Sequence, residues 1–162
     1  RLAKAQRKLS QKQKGSHNRE KQRLRVAILH EKVANQRRDF LHKKARYLAD
    51  RYDVIGIEDI SVKAMAKRKK GGKFSFGKSV ADNGWNMFTN MLEYKLAWQG
   101  KKLIKIDKWY PSSQLCHVCG YQNHETKDLS VREWDCPKCG SHHNRDKNAA
   151  INIREEARRI SA

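Results

Sequence analysis

Apolar residues recur at helical spacing over the first third of the chain. A short basic helix is predicted over residues 2–14, and Ser16 or Asn18 is suited to cap the helix that follows. From about residue 19 to residue 52, apolar side chains recur every seven positions, which is close to two helical turns. They form two adjacent columns, Val26, Val33, Phe40 and Tyr47, and Ala27, Ala34, Leu41 and Leu48. The pattern predicts a helix of roughly 50 Å that partly pairs with the first helix as a hairpin.

Two short apolar runs, at residues 54–58 and 102–107, predict buried strands. Between them, apolar side chains at steps of three and four predict a helix over residues 83–99, and a stretch rich in glycine and lysine at 61–82 predicts a loop. The last helix is predicted from about residue 146 to residue 159. This alternation of helices and strands indicates an α/β fold with parallel strands. Two strands leave both edges of a sheet unpaired, so we expect an incomplete sheet.

Positive charge dominates the composition, with 37 Lys and Arg against 17 Asp and Glu and a formal net charge of +20. The excess lies almost entirely before residue 110 and predicts a polyanionic partner, most simply nucleic acid. A basic run can also be the solvated face of a helix, but two separate runs without acids weaken that alternative. They contain Lys4, Arg7, Lys8 and Lys12, and Lys67, Arg68, Lys69 and Lys70. No apolar run approaches the roughly 20 residues of a membrane span, and the four cysteines fall in two tight pairs that are typical of a metal site and not of a secreted disulfide framework. We therefore expect an intracellular, cytoplasmic protein.

The four cysteines fall in two C-x-x-C-G knuckles, Cys116 to Gly120 and Cys136 to Gly140, with 16 residues between Cys119 and Cys136. Four thiolates at this spacing are typical of a tetrahedral zinc site, with disulfides or plain buried cysteines as the alternatives. Four sulfur ligands complete the coordination shell, so the zinc is expected to be structural. The histidines near the knuckles are then expected at the surface and not as ligands: His117, His124, His142 and His143.

Two carboxylates are candidates for metal-dependent phosphodiester chemistry. Glu58 and Asp59 end the first predicted strand on opposite faces, and Gly56 shares the face of Glu58 and leaves room above it. Asp146 shares a helix face with small and apolar residues that are expected to pack on the sheet, namely Ala149, Ala150, Ile153 and Ala157. The alternatives are an ordinary charged strand end for Glu58 and a helix N-cap for Asp146. Acids at neighbouring element ends could share Mg²⁺ ions.

Several segments resemble the TnpB/OrfB family encoded by bacterial and archaeal insertion sequences, which is similar to type V CRISPR effectors. The resembling segments are the two knuckles and five further stretches, Val54 to Ile60, Asp82 to Trp85, Glu93 to Lys95, Tyr110 to Cys116 and Asn144 to Ile153. The resemblance covers essentially the whole chain. It implies an RNA-guided DNA endonuclease with a RuvC-like nuclease domain of the RNase H fold and an inserted zinc ribbon. Guide RNA and target DNA are the implied partners.

The resemblance also implies boundaries and residue roles. The nuclease core would occupy residues 1–110, with a helical hairpin at 1–52 and a strand–helix–strand unit at 53–109. The zinc ribbon would follow at 111–143, and residues 144–162 would form the final core helix. Glu58 and Asp146 would be the second and third catalytic carboxylates, holding Mg²⁺ or Mn²⁺. The family's first acid, an Asp on an upstream strand, has no match here, so we expect the missing N-terminal part of the same protein as a partner and no cleavage by this chain alone.

Neighbouring residues and competing functions complete the expectations. Arg145, beside Asp146, is a candidate phosphate contact. Trp109 and Tyr110 could stack on bases, although the core is the favoured place for them. A DNA- or RNA-binding module without catalysis and a transposase that joins DNA ends are the alternatives to an endonuclease.

Overall fold

The computed structural model of the protein describes residues 1–61 and 84–162. The second basic run, Lys67, Arg68, Lys69 and Lys70, lies outside the described residues, as does nearly all of the predicted loop.

The N-terminal third is a helical hairpin of α1 (Leu2–Ser10) and α2 (His17–Arg51). The first helix is shorter than predicted, and the hydroxyl of Ser16 caps the second by accepting a hydrogen bond from the Arg19 N–H. Ala5 and Val26 are buried where the helices meet, and Gln22 Nε2 donates to the Ala5 carbonyl at 2.9 Å. The long helix predicted over residues 19–52 is therefore confirmed.

The buried face of α2 differs from the predicted stripe. Of the two predicted columns, Val26 and Leu41 are buried and Leu48 is half-buried, whereas the other five residues are exposed, namely Ala27, Val33, Ala34, Phe40 and Tyr47. Ala45 and Ala49, which belong to neither column, are buried as well. The stripe prediction is therefore wrong for the exposed positions, because the C-terminal half of α2 packs on α3 (Trp85–Ala97) along Leu41, Ala45 and Ala49, whereas its N-terminal half meets α1. Alanines one turn apart let α3 approach closely, so the contact follows steps of four.

Two parallel strands, β1 (Val54–Glu58) and β2 (Lys102–Ile106), form the sheet, and Glu58 pairs with Ile106. On one side lies the main apolar core, formed by α2 and α3. The last helix, α4 (Arg145–Ser161), packs on the other side. A Cβ added at Gly56 would lie 2.6 Å from the Ala157 Cβ, so glycine is what allows α4 this close to β1. The predicted alternation and parallel pairing are confirmed.

Between β2 and α4 the chain forms a small unit around the cysteines. It contains a short 3₁₀ helix (His124–Lys127) and an antiparallel pair, β3 (Glu133–Asp135) and β4 (His142–Asn144). Trp134 packs with Cys116 and Cys136 in a second, smaller core. Over residues 1–61 and 84–162, no helix is long and apolar enough to cross a membrane.

Candidate functional site

The four cysteine sulfurs converge on one point. All four lie within 4.8 Å of one another, with 3.7 Å between the Sγ atoms of Cys116 and Cys139 and 3.6 Å between those of Cys119 and Cys136. A tetrahedron with zinc–sulfur bonds of about 2.3 Å has edges of about 3.8 Å. All four cysteines are free, so the disulfide alternative is wrong. The donor set fits a tetrahedral zinc ion.

Each knuckle turns at its glycine. Gly120 and Gly140 both have φ of +72°, and their N–H groups donate to the carbonyls of Cys116 and Cys136 at 2.8 Å. Left-handed backbone favours glycine over residues with a Cβ. The two turns therefore present the paired sulfurs from matching loops.

The sulfurs perturb one another's protonation. Hydrogen bonds from the Ser141 hydroxyl and backbone N–H lower the pKa of Cys139 to about 6. For Cys119 the Tyr121 N–H acts to lower the pKa, but desolvation and the three other thiols together raise it to about 12. Such opposed shifts are expected when four thiols cannot all ionise side by side. A divalent cation would relieve that repulsion and hold all four as thiolates.

His143 is buried beneath the cysteines, so the expectation of a surface histidine is wrong there. Its Nε2 lies 3.1 Å from Cys116 Sγ, and its ring packs 4.7 Å from Trp134 and 4.9 Å from His117. Burial lowers the pKa of His143, which favours the neutral ring. The strand β4 explains the error, because side chains alternate and His142 takes the exposed face. His117 and His124 are exposed, as expected.

Glu58 is a half-buried residue at the C-terminal end of β1. Its Oε1 accepts a hydrogen bond from the hydroxyl of Ser112 at 2.6 Å. Strand alternation puts Glu58 on the face of Gly56, which α4 covers, and puts exposed Asp59 on the opposite face.

Asp146 lies in the first turn of α4, and its side chain is 79% exposed, 3.9 Å from Arg132. Asn144 is the N-cap and accepts from the Lys147 N–H at 3.2 Å, so the N-cap alternative for Asp146 is wrong. The expectation that Asp146 and Ala150 pack toward the sheet is also wrong, since both are exposed. The α4 residues that meet β1 at Gly56 are Ile153 and Ala157, which lie further along the helix.

The two acids nevertheless lie toward the same end of the α4–β1 layer. Gly56 faces Ile153 and Ala157, whereas Glu58, two positions on, is linked through Ser112 to Asn152. The helix therefore runs opposite to β1, and its N-terminus points toward the strand end that carries Glu58. In the described part of the chain, the four cysteines form the one converging group of three or more side chains able to hold a metal.

Three buried polar residues hold this region together and were not predicted from the sequence. They are Ser112, Asn148 and Asn152, which are 5%, 1% and 6% exposed. The amide of Asn152 donates to the carbonyls of Ser112 and Leu115, and that of Asn148 donates to Leu115. The sequence feature that could have indicated them is a pair of asparagines four positions apart, which therefore lie on the same face of α4.

Cations of the first basic run are exposed on the helical hairpin. Lys4, Arg7, Lys8 and Lys12 are all exposed, and none of them makes an ion pair within the described ranges. Lys4 and Lys8 line a groove of about 650 Å³ between α1 and α2, together with Lys21 and Arg25. The arrangement suits a phosphate backbone.

Two further candidates lie beside the strand ends. Trp109 is 80% exposed, so the preference for a core position is wrong for it, whereas Tyr110 is half-buried. The Asp107 carboxylate accepts from the Trp109 N–H at 2.6 Å, and Lys108 Nζ lies 5.0 Å from the indole centroid. Arg145 has a buried Nε without a hydrogen-bond partner among the described residues. The exposed Trp109 ring is a surface on which a nucleic-acid base could stack.

Comparisons with known proteins match nearly the whole chain. Residues 1–69 match a family model described as "Probable transposase", and residues 85–153 match one described as "Cas12f1-like, TNB domain". A "Putative RNA-guided DNA endonuclease" of Streptomyces pristinaespiralis is 45% identical over 153 residues, which cover 94% of this chain and 36% of that protein. "Putative RNA-guided DNA endonuclease InsQ" of Escherichia coli (strain K12) is 36% identical over 162 residues, covering 94% of this chain and 40% of InsQ. The chain thus spans well under half the length of these relatives.

Solved structures share the fold. The "Cas12f1-sgRNA-target DNA complex" aligns with a TM-score of 0.56 at 23% identity, over 79% of this chain and 36% of that one. The "CRISPR-Cas12f Ternary Complex" aligns with a TM-score of 0.60 at 21% identity, over 94% of this chain and 31% of that one.

Proposed function

Because the chain belongs to the TnpB/OrfB family, we propose that it is the nuclease portion of a transposon-encoded, RNA-guided DNA endonuclease. The proposal is supported by two family models, which together span most of the chain. It is also supported by the relatives that are named as RNA-guided DNA endonucleases. The relatives are longer, so the proposal concerns the activity of a longer protein that contains these residues.

One observation carries the proposal. Glu58 and Asp146 lie toward the same end of the layer formed by β1 and α4, and Glu58 accepts a hydrogen bond from the Ser112 hydroxyl. Carboxylates at neighbouring element ends are the ligands that Mg²⁺ and Mn²⁺ prefer. Glu58 and Asp146 would hold these ions together with a further carboxylate from the longer protein. Bound there, the metal would activate water and stabilise the charge that develops on the scissile phosphate.

The fold and its divisions fit the same proposal. The helical hairpin and the strand–helix–strand unit, residues 1–110, would be part of a RuvC-like core of the RNase H fold, completed by strands of the longer protein. Residues 111–143 would be a zinc ribbon inserted before the last core helix, residues 144–162. Zinc at the four cysteines would be structural, since four sulfurs leave no open position for chemistry.

Guide RNA and target DNA would bind the cationic surfaces. Lys4, Arg7, Lys8 and Lys12 are exposed cations suited to phosphate contacts, and we propose the same role for Lys67, Arg68, Lys69 and Lys70. Arg145 would contact a phosphate near Asp146. Exposed Trp109, beside the C-terminal end of β2, would stack on a base of the strand that enters the site.

Cleavage by the full-length protein tests the proposal. The protein is loaded with guide RNA, and cleavage of a matched DNA target is measured with Mg²⁺. We expect Glu58→Gln and Asp146→Asn each to lower the cleavage rate by at least about 100-fold while target binding in a gel shift is retained. Asp59→Asn is the matched control, since this neighbouring acid faces the other side of β1, and it should cut normally.

The alternatives predict different products. Normal cutting by either Glu58→Gln or Asp146→Asn would refute the assignment of the two acids. A full-length protein that binds guide and target but never cuts would be a binding module without catalysis. Joined DNA strands in place of cut ends would identify a transposase.

A further inference from the structure

Buried hydrogen bonds join the proposed catalytic carboxylate to the first cysteine knuckle. Glu58 Oε1 accepts from the Ser112 hydroxyl at 2.6 Å, and Ser112 is 5% exposed. Cys116 follows four residues later, and its side chain is buried. The hydroxyl that donates to the carboxylate and a sulfur of the cysteine cluster therefore belong to one short segment, residues 112–117.

Two asparagines of α4 hold this segment in place. Asn152 Nδ2 donates to the carbonyls of Ser112 at 2.8 Å and Leu115 at 2.7 Å. Asn148 Nδ2 donates to Leu115 at 2.6 Å, and its Oδ1 accepts from the His117 N–H at 3.0 Å. These bonds lie on both sides of Cys116, so the backbone there cannot shift without breaking them.

The burial of this network is what makes it specific. The asparagines are 1% and 6% exposed, and a buried amide that loses its partners has no water to replace them. A satisfied buried network therefore fixes one arrangement of the segment. Zinc at Cys116 would anchor the same segment at its other end.

We propose that Ser112 is a positioning residue for Glu58, and that zinc bound by the cysteines fixes the segment from which Ser112 reaches it. The inference rests on the proposed function, because it takes Glu58 as a ligand of the divalent ion. With zinc present, the segment is held by α4 and by the metal, and the Ser112 hydroxyl stays on the carboxylate. Without zinc, one of these anchors is lost and Glu58 becomes free to leave its orientation.

Manganese binding to the full-length protein with its guide RNA tests the role of Ser112. Bound Mn²⁺ is measured by electron paramagnetic resonance, and the Mn²⁺ concentration for half-maximal cleavage is measured in parallel. We expect Ser112→Ala to raise both the Mn²⁺ dissociation constant and this concentration about 10- to 100-fold, as loss of a partner that orients a metal ligand does. Ser112→Thr keeps a hydroxyl and should stay near wild type.

Ser113→Ala is the matched control, since within the described residues no hydrogen bond of the Ser113 hydroxyl is found and the substitution removes the same atom. Guide-RNA binding by every variant confirms that it is folded. Wild-type Mn²⁺ binding in Ser112→Ala would overturn the positioning role, as would equal effects of Ser112→Ala and Ser113→Ala.

A double-mutant cycle tests the link to zinc. Cys139→Ser removes a ligand from the second knuckle, far along the chain from Ser112, and should also weaken Mn²⁺ binding. If Ser112 transmits that effect, adding Cys139→Ser to Ser112→Ala changes Mn²⁺ binding little further. Zinc removal from folded wild-type protein with a chelator, which is then dialysed away, gives the same comparison without a cysteine variant. Independent effects of Ser112→Ala and zinc loss would contradict the link.

Glu58→Gln separates failure of this inference from failure of the proposed function. Loss of cleavage in Glu58→Gln with normal Mn²⁺ binding in Ser112→Ala would overturn only the positioning role. Normal cleavage and Mn²⁺ binding in both variants would overturn the proposed function itself.

Discussion

Gly56→Ala tests whether the close approach of α4 to β1 supports the site. An added Cβ would lie 2.6 Å from the Ala157 Cβ and 3.1 Å from the Ile153 carbonyl oxygen. Ordinary carbon–carbon contacts are about 3.5–4.0 Å, so the helix has to retreat by about 1 Å. Overpacking of this kind costs about 1–3 kcal/mol, which corresponds to a fall in Tm of about 2–12 °C in a chain of this size.

The assay is thermal and denaturant unfolding of the zinc-loaded chain, with a second substitution on α4. Ala157→Gly removes the atom that the new methyl group meets, so Gly56→Ala with Ala157→Gly should be more stable than the sum of the single effects predicts. The rescue should be partial, because the Ile153 carbonyl remains close. Ala150→Gly is the matched control, since it carries the same helix-propensity cost of about 1 kcal/mol at an exposed position.

Additive effects in both pairs would refute the account of the close contact, as would a Gly56→Ala variant as stable as wild type. In the full-length protein, the same retreat should displace α4 with Asn148 and Asn152. We therefore expect Gly56→Ala to cut target DNA more slowly than Asp59→Asn does.

Four further predictions concern other parts of the chain. Cys136→Ser should lower zinc content from about one ion per chain, measured by atomic emission, and should lower Tm, whereas Ser113→Ala should change neither. The double variant Lys4→Ala with Lys8→Ala should reduce the slope of log binding constant against log salt concentration by about 1.8 for duplex DNA. Lys43→Ala should reduce the slope less, because the Nζ of Lys43 already pairs with Asp39 at 2.7 Å. Hydrogen bonds from Arg46 and Gln99 lower the pKa of Asp50, so the stabilisation by its carboxylate is present above the pKa of the unfolded chain and is lost as pH falls through the pKa of the folded chain. Asp50→Asn should therefore flatten the acid side of a plot of unfolding free energy against pH. An equal loss of stability at all pH values would contradict this. Trp109→Ala should weaken binding of single-stranded DNA, and Trp109→Phe should restore part of it.

Periodicity along the chain predicted most of the fold. Helices α2, α3 and α4 and strands β1 and β2 lie within a few residues of the predicted positions, since apolar residues recur at helical spacing in the helices and form short continuous runs in the strands. The buried face of α2 was not predictable in the same way. The apolar residues of α2 occupy a larger surface than the one that α3 contacts. Which of them are buried therefore depends on where α3 packs, and the sequence of α2 does not show that.

The zinc ligands were predictable because two C-x-x-C pairs at this spacing are typical of zinc sites and of little else in proteins. The residues that support the site were not. Asn148 and Asn152 resemble solvent-exposed helix positions until the segment they bind is known, and the hydroxyl of Ser112 acquires a role only through a carboxylate 54 positions away. His143 was misplaced because a strand of three residues gives too little alternation to assign its faces.

Iron-mediated cleavage of the protein backbone tests most directly whether Glu58 and Asp146 share divalent ions. Fe²⁺ replaces Mg²⁺ in the full-length protein bound to guide RNA and target DNA, and peroxide then generates hydroxyl radicals that cut the chain close to the metal. We expect backbone cuts around both residue 58 and residue 146, and excess Mg²⁺ should suppress both sets together. Cuts near only one of these residues, or near neither, would contradict a shared metal site.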